Sequence, residues 1–131
     1  MSSATFAPND TLTREEAATI TQMSGGGITG GATNLNGSGT MRISSGGVAN
    51  STTVNYRGDV HISSGGVANS TTVNSYGSIF ISSGGVANST TISGGNMYIT
   101  SGGVANDTTV KSYGMFISIG GVANSTTVNS L

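Results

Sequence analysis

Few residues of this chain have side chains suited to catalysis. His61 is the only histidine, and Asp59 lies two positions before it, so the two side chains would share one face of a β-strand. A Ser-His-Asp arrangement would have to be assembled around this one histidine. Other copies of the repeat described below do not reproduce the pair. We therefore interpret Asp59 and His61 as a solvated outward pair and predict no catalytic residue and no enzymatic activity.

Residues that could hold a metal ion or a cofactor are also scarce. The sequence has no cysteine, and its five acidic residues are too dispersed to form a ligand set with one histidine. Glu15 and Glu16 are adjacent on a predicted helix and cannot face one another. The glycines at 25–27 lack the Lys-Ser/Thr pair of a phosphate-binding loop. We expect no metal and no cofactor.

Charge and hydropathy exclude several further classes of protein. Only 7% of the residues are charged, for a net charge of -1, and the four cations are widely spread, so nucleic-acid binding is not expected. No apolar run approaches the length of a membrane span, which is roughly 18 residues or more. The N-terminal stretch MSSATFAPND lacks the basic and apolar regions of a secretory signal.

A repeated phrase, ISSGGVANSTTVN, sets the fold. The valine of its GGV motif recurs at nearly constant intervals, at Val48, Val67, Val86, Val104 and Val122. A period of this length is typical of a solenoid, in which each unit buries its apolar face by stacking on its neighbours. Helical repeats are longer, and this phrase is rich in glycine and β-branched residues. The sequence predicts an all-β fold: a β-solenoid (β-helix) of the right-handed type with about five to six coils, each of roughly 18–20 residues.

Each coil is predicted to hold two strands and two corners, as a thin, flattened rod. Segments such as MRI and IFI alternate apolar, variable, apolar, which points the outer two side chains inward. ANSTTV forms the second strand, and its inward column comprises Val54, Val73, Ile92, Val110 and Val128. The glycine pairs occupy one corner because glycine adopts a positive φ at no steric cost, and NSYG occupies the other.

The N-terminal residues 1–23 form a separate segment from the solenoid at 24–131. Thr13 and Glu16 match a capping box, which predicts a helix over about 13–23. Such a helix would cover the open edge of the first coil.

Two outward columns are candidates for interaction. The middle position of the first strand forms what we name the outward stripe, which comprises Arg42, His61, Phe80, Tyr98 and Phe116. Three aromatics ~4.8 Å apart would make an exposed surface, although cross-strand stacking that merely stabilises the sheet accounts for them equally well. The second strand exposes a threonine column, which comprises Thr53, Thr72, Thr91, Thr109 and Thr127.

The C-terminal coil is a further candidate surface. Ile119 is apolar where earlier copies have serine, and Leu131 ends the chain in the middle of a coil. We expect self-association through this coil, as a dimer or as a filament, with Ile119 and Leu131 near the contact.

The repeats at about 24–131 resemble those of AIDA-type autotransporter adhesins of Gram-negative bacteria, through the SGG corner, the ANSTTV strand and the N-S-x-G corner. The resemblance implies a β-helical passenger outside the outer membrane that acts in adherence, aggregation or biofilm formation. It also implies O-glycosylation, by heptose, of repeat hydroxyls. A second resemblance, of FAPNDTLTREEAATI (residues 6–20), is to part of a surface-layer homology motif.

The resulting prediction is a non-enzymatic structural and adhesive module of a bacterial surface or secreted protein, located outside the cell. Its expected partners are further copies of itself and a surface glycan or protein. Two alternatives stay open: a filament subunit that stacks through open coil ends, and an ice-binding solenoid that uses its Ser and Thr ladders. Six N-x-T triplets match N-glycosylation acceptors, but we interpret their asparagines as stacked amide ladders.

Overall fold

The computed structural model describes residues 4–6, 20–23, 33–35, 39–44 and 46–129, and this part of the chain is an all-β solenoid of about five turns. Its strands pair in parallel, each with the equivalent strand of the coil before or after it, and in one continuous sheet. The strands are β1 (Ala4–Phe6), β2 (Ile20–Met23), β3 (Thr33–Leu35), β4 (Thr40–Ile43), β5 (Val48–Asn50), β6 (Thr52–Val54), β7 (Asp59–Ile62), β8 (Val67–Asn69), β9 (Thr72–Val73), β10 (Ser78–Ile81), β11 (Val86–Asn88), β12 (Thr91–Ile99), β13 (Val104–Ile117) and β14 (Val122–Val128). The predicted fold class is confirmed.

The earlier coils have three strand segments and three corners, so the prediction of two strands and two corners is wrong; in later coils β12 and β13 continue through a corner without a break. In one coil the three segments are β7, β8 and β9. The additional corner divides VANSTTV at Ser70, whose φ of 57° is left-handed. The equivalent residues of the other coils share this conformation: Ser51, Ser89, Asp107 and Ser125. Serine rarely adopts a positive φ, and for this reason its presence did not signal a corner.

The two predicted corners lie where glycine and asparagine indicated. At the first corner, the N–H of Gly66 donates to the carbonyl oxygen of Ser63 at 2.8 Å, and both intervening residues have positive φ. At the other corner, the N–H of Gly77 donates to the carbonyl oxygen of Asn74, also at 2.8 Å. Between corners the chain is held mainly by hydrogen bonds to neighbouring coils, which satisfy its backbone polar groups.

The core is a set of inward columns that run along the rod. Four of them are apolar, and the fifth contains threonine. Their fully or almost fully buried members are Leu35, Met41, Ile43, Ala49, Thr52, Val54, Val60, Ile62, Ala68, Thr71, Val73, Ile79, Ile81, Ala87, Thr90, Ile92, Met97, Ile99, Ala105, Thr108 and Val110. The predicted inward column from Val54 to Val110 is therefore confirmed. Its last member, Val128, is 72% exposed, because the described residues place no further coil over it.

The N-terminal segment differs from its prediction. Ile20–Met23, which the sequence assigned to the end of a capping helix, form β2, and β2 pairs in parallel with β1 and with β4. The helix prediction is wrong for these residues, because pairing with a strand on either side outweighs the local helix signal. The rest of the predicted helix, at 13–19, lies outside the described residues, and the division after residue 23 stays a prediction.

Candidate functional site

The outward stripe is positioned by one strand segment of each successive coil. Parallel pairing is in register across β4, β7, β10, β12 and β13, so that each member of the stripe lies directly beside the next. The residues before and after the first four members are buried, because side chains alternate between the two faces of a strand. The structure thus places the stripe on the outer face of the rod.

Four rings of the stripe form a nearly parallel stack. The centroids of His61 and Phe80 are 4.7 Å apart, with an angle of 7° between the ring planes. Phe80 and Tyr98 are separated by 4.9 Å, and Tyr98 and Phe116 by 5.1 Å. This spacing matches the separation of adjacent strands. Most ring faces are therefore covered by the neighbouring rings, and the stack presents mainly ring edges outward.

Exposure rises toward both ends of the stripe. The three inner members, His61, Phe80 and Tyr98, are half-buried, whereas Arg42 is exposed and Phe116 is 53% exposed. The stripe thus has a cation at one end and an exposed phenyl ring at the other.

His61 and Asp59 do not behave as an activated pair. Burial lowers the pKa of His61 below its ordinary value of 6.5, the charge of Arg42 acts in the same direction, and Asp59 opposes both. Burial also raises the pKa of Asp59 above 3.8, with His61 opposing. Both shifts favour the uncharged form, which a tight ion pair would not do.

Two polar columns border the outward stripe on the same face. The first column precedes it by two residues and comprises Thr40, Asp59, Ser78, Asn96 and Gly114. The last column follows it by two residues and comprises Ser44, Ser63, Ser82, Thr100 and Ser118. An apolar centre with hydrogen-bonding edges is the general composition of an interaction surface.

The threonine column also faces outward. Thr53, Thr72, Thr91 and Thr109 are half-buried, and Thr127 is exposed. In the four earlier copies the preceding threonine points into the core instead, and its hydroxyl has no hydrogen-bond partner: these are Thr52, Thr71, Thr90 and Thr108. The sequence reasoning missed these buried hydroxyls, because the adjacent threonines are identical in type and only their alternation separates them.

Of the candidate end residues, Ile119 is 94% exposed at a corner, and Leu131 lies outside the described residues.

The predicted amide ladder runs along the rod. Each Nδ2 in it donates to the Oδ1 of the preceding asparagine at 2.9 Å, and its members are Asn50, Asn69, Asn88, Asn106 and Asn124. Asn9, the remaining N-x-T asparagine, is not among the described residues.

An exposed aromatic corner was not anticipated. Tyr56 and Tyr76 are more than half-exposed, with ring centroids 5.7 Å apart in an edge-to-face arrangement. The guanidinium of Arg57 lies 5.3 Å from the centroid of the Tyr56 ring. The signal was present in the sequence, since both tyrosines lie in the corner between the inward valine and the glycine of their copies.

Within the described residues, no group of three or more His, Cys, Asp or Glu side chains is arranged to hold a metal ion, and no pocket is present. The same part of the chain contains no helix long and apolar enough to cross a membrane.

Comparison with known proteins found one informative similarity. Neither the protein-family models nor the curated proteins gave a match. A solved structure described as "Crystal structure of TibC-catalyzed hyper-glycosylated TibA55-350 fragment" matches with a TM-score of 0.68 and 34% sequence identity. The match covers 95% of this chain but 52% of the TibA fragment, so this chain spans about half the length of that fragment. The similarity supports the resemblance of the repeats to those of AIDA-type autotransporter adhesins.

Proposed function

We propose that this chain is a non-enzymatic, adhesive β-solenoid module of a bacterial surface or secreted protein, which acts in adhesion, aggregation or biofilm-type self-association. The observation that carries the proposal is the similarity to the TibA fragment over 95% of the chain, together with the AIDA-type pattern of the repeats. An extracellular or cell-surface location follows from the same resemblance.

The physical properties of the rod agree with this role. The described residues form a rod without a pocket for a small substrate, and the chain has a net charge of -1. Low net charge leaves little electrostatic repulsion between copies. Outward columns that repeat in every coil present the same groups many times, so weak contacts add up when many copies are displayed.

The proposal is tested by displaying the chain on beads at high density and measuring clumping and adherence to abiotic, bacterial and epithelial surfaces. We expect clumping or adherence above the level of beads that carry an unrelated neutral protein. Beads indistinguishable from that control in every assay would contradict the adhesive function.

O-glycosylation is a second proposal, favoured by the TibC-catalyzed hyper-glycosylation of the similar TibA fragment. The described part of the chain exposes serines at a corner of several coils: Ser51, Ser70, Ser89 and Ser125. Co-expression with TibC and intact mass measurement would reveal added sugars. An unchanged mass would contradict modification by this class of enzyme. N-glycosylation is not proposed, because the ladder occupies the amide groups of Asn69, Asn88 and Asn106.

Two alternatives predict different measurements. One alternative is a filament that stacks through the last coil, near Ile119 and Leu131. It is supported by the exposure of Ile119 and Val128, and it predicts fibres in electron micrographs that Ile119→Lys abolishes.

The other alternative is an ice-binding solenoid, which is supported by the outward threonine column. It predicts thermal hysteresis that Thr72→Val reduces.

A further inference from the structure

We propose that the aromatic corner, which comprises Tyr56, Arg57 and Tyr76, binds a sugar residue that carries a carboxylate, such as a residue of a polyuronate or of a sialylated glycan. The inference rests on the proposed adhesive function. It specifies the chemistry of the partner and the side chains that contact it.

Two tyrosine rings of adjacent coils lie at the surface of the rod. Tyr56 is 52% exposed and Tyr76 is 62% exposed, and their ring planes meet at 85°. In this edge-to-face arrangement the rings do not cover each other's faces, in contrast to the stacked rings of the outward stripe. The face of an aromatic ring is electron-rich, so it attracts the C–H groups on one side of a sugar ring. The phenol groups can also donate to and accept from sugar hydroxyls.

A cation lies beside these rings. The guanidinium of Arg57 is 5.3 Å from the centroid of the Tyr56 ring, and this attractive arrangement holds the exposed side chain next to the tyrosines. Tyr76 is the equivalent of Arg57 in the next coil, so their backbones are about 5 Å apart. A guanidinium binds a carboxylate through two parallel hydrogen bonds. A sugar on the ring of Tyr76 can therefore extend a carboxylate to Arg57.

The charges along this corner of the rod have one sign. The corner continues through residues 55–58, 74–77, 93–95 and 111–114, which include Arg57 and Lys111 but no acidic residue. Lys111 is exposed and lies three coils from Arg57, about 14 Å along the rod. Asp59 follows the corner in sequence but belongs to the first column beside the outward stripe. An anionic glycan laid along the corner thus meets a cation at two points.

The backbone of the corner gives independent support. Arg57 has a φ of 59° and Tyr76 a φ of 60°, a conformation that is unfavourable for a bulky residue and easy for glycine. The next coil does have a glycine with positive φ at this corner, Gly94. Because the ring of Tyr76 is mostly exposed, burial does not offset the backbone cost. Residues held in unfavourable backbone conformations are concentrated at functional sites, which favours a binding role for these two side chains.

The shape of the corner sets the strength of binding. The described residues form no pocket, so a single sugar is held on an open surface, and we expect a dissociation constant on the order of millimolar. A polymer presents the same carboxylated sugar many times. Firm binding is therefore expected only between a polymer and many displayed copies of this chain.

Two substitutions remove the proposed contacts. Tyr76→Asn deletes the ring, and Arg57→Gln deletes the guanidinium; each should weaken binding by about three- to tenfold. Asparagine tolerates a positive φ better than tyrosine, so Tyr76→Asn should be at least as stable as the parent, and its loss of binding cannot come from unfolding. Tyr76→Phe keeps the ring and should retain most of the binding. Arg42→Gln, which removes the same charge on the outward stripe, should leave binding unchanged.

The measurement is retention of chain-coated beads on immobilised polygalacturonate and polysialic acid, with neutral dextran and polyglutamate as controls. Thermal unfolding by circular dichroism confirms that each variant is folded. Retention on either carboxylated glycan above both controls, reduced by Tyr76→Asn and Arg57→Gln but not by Arg42→Gln, supports the proposal. The polymer that is bound more tightly identifies the kind of carboxylated sugar.

Three results would overturn the proposal. Equal retention on polyglutamate would mean that charge alone is recognised, and retention unchanged by Tyr76→Asn and Arg57→Gln would place binding elsewhere on the rod. Absence of retention on both carboxylated glycans would exclude this class of partner. In that case, clumping of the beads or their adherence to other surfaces would still leave the proposed adhesive function standing.

Discussion

Gly85 lies directly against the backbone of the preceding coil, where a Cβ atom on it would overlap the carbonyl oxygen of Ile62. The same relationship joins Gly66 to Ile43 and Gly103 to Ile81. The second glycine of each SGG corner is thus required by the close approach of stacked backbones. The first glycine is placed differently: Gly84 has a φ of +86° and only ordinary contacts around its Cβ position.

We predict that Gly85→Ala destabilises the rod by about 3 kcal/mol, because backbone atoms must move to admit the methyl group. Gly84→Asn should cost about 1 kcal/mol or less, since asparagine tolerates a positive φ. Urea unfolding followed by circular dichroism compares the two variants. Equal costs would contradict the assignment of different roles to the two glycines.

We predict that Val73→Asp unfolds the whole rod, whereas Thr72→Asp leaves it folded. Val73 is fully buried between Val54 and Ile92, and an unpaired carboxylate there would cost about 4 kcal/mol or more, a large share of the stability of a small domain. Thr72 is half-buried on the outer face and has uncharged threonines on either side. Thermal unfolding of both variants provides the comparison. Two equally mild changes would mean that the strand faces are reversed.

We predict that Thr71→Val stabilises the protein by about 1 kcal/mol. The hydroxyl of Thr71 is buried without a hydrogen-bond partner, and valine has nearly the same shape without the desolvation penalty of the hydroxyl. Thr71→Ala is the matched control; it removes the same hydroxyl together with a methyl group and should destabilise through the cavity it leaves. A loss of stability in Thr71→Val would show that the hydroxyl is hydrogen-bonded in solution. Chemical denaturation measures all three proteins.

We predict that stability decreases as the pH falls through 6.5. Burial lowers the folded-state pKa of His61 below this ordinary value, so the unfolded chain binds more protons between the two values, and stability rises with pH there. The raised pKa of Asp59 has the opposite effect, and at lower pH. Stability falls as the pH rises from 3.8 toward the pKa of Asp59 in the folded state. Unfolding curves between pH 3 and pH 8 should show both slopes.

His61→Phe tests the assignment of the upper slope. Phenylalanine continues the stack on Phe80 but does not titrate, so the decrease in stability through pH 6.5 should disappear while the slope from Asp59 remains. Persistence of the upper slope in this variant would assign it to another group.

The repeat phrase determined most of the fold. Its period is too short for helical repeats, and the alternation in MRI or IFI set which side chains of the first strand enter the core. The outward stripe followed from the same alternation, because Phe80 lies between two buried isoleucines. These features depend only on neighbours in the chain and on stacking of identical units, and both can be read from one copy.

Other features required the tertiary structure. The third corner at Ser70 depends on a left-handed serine, a conformation that becomes favourable only when the backbone of Ser70 is held by Asn88 of the next coil. Likewise, Ile20–Met23 form a strand because β1 and β4 lie beside them, although the local sequence from Thr13 matches a helix start. The nearly parallel ring stack from His61 to Phe116 is fixed by the in-register pairing of equivalent strands in successive coils. In each case the deciding energy comes from hydrogen bonds and packing between coils, which no single copy of the repeat contains.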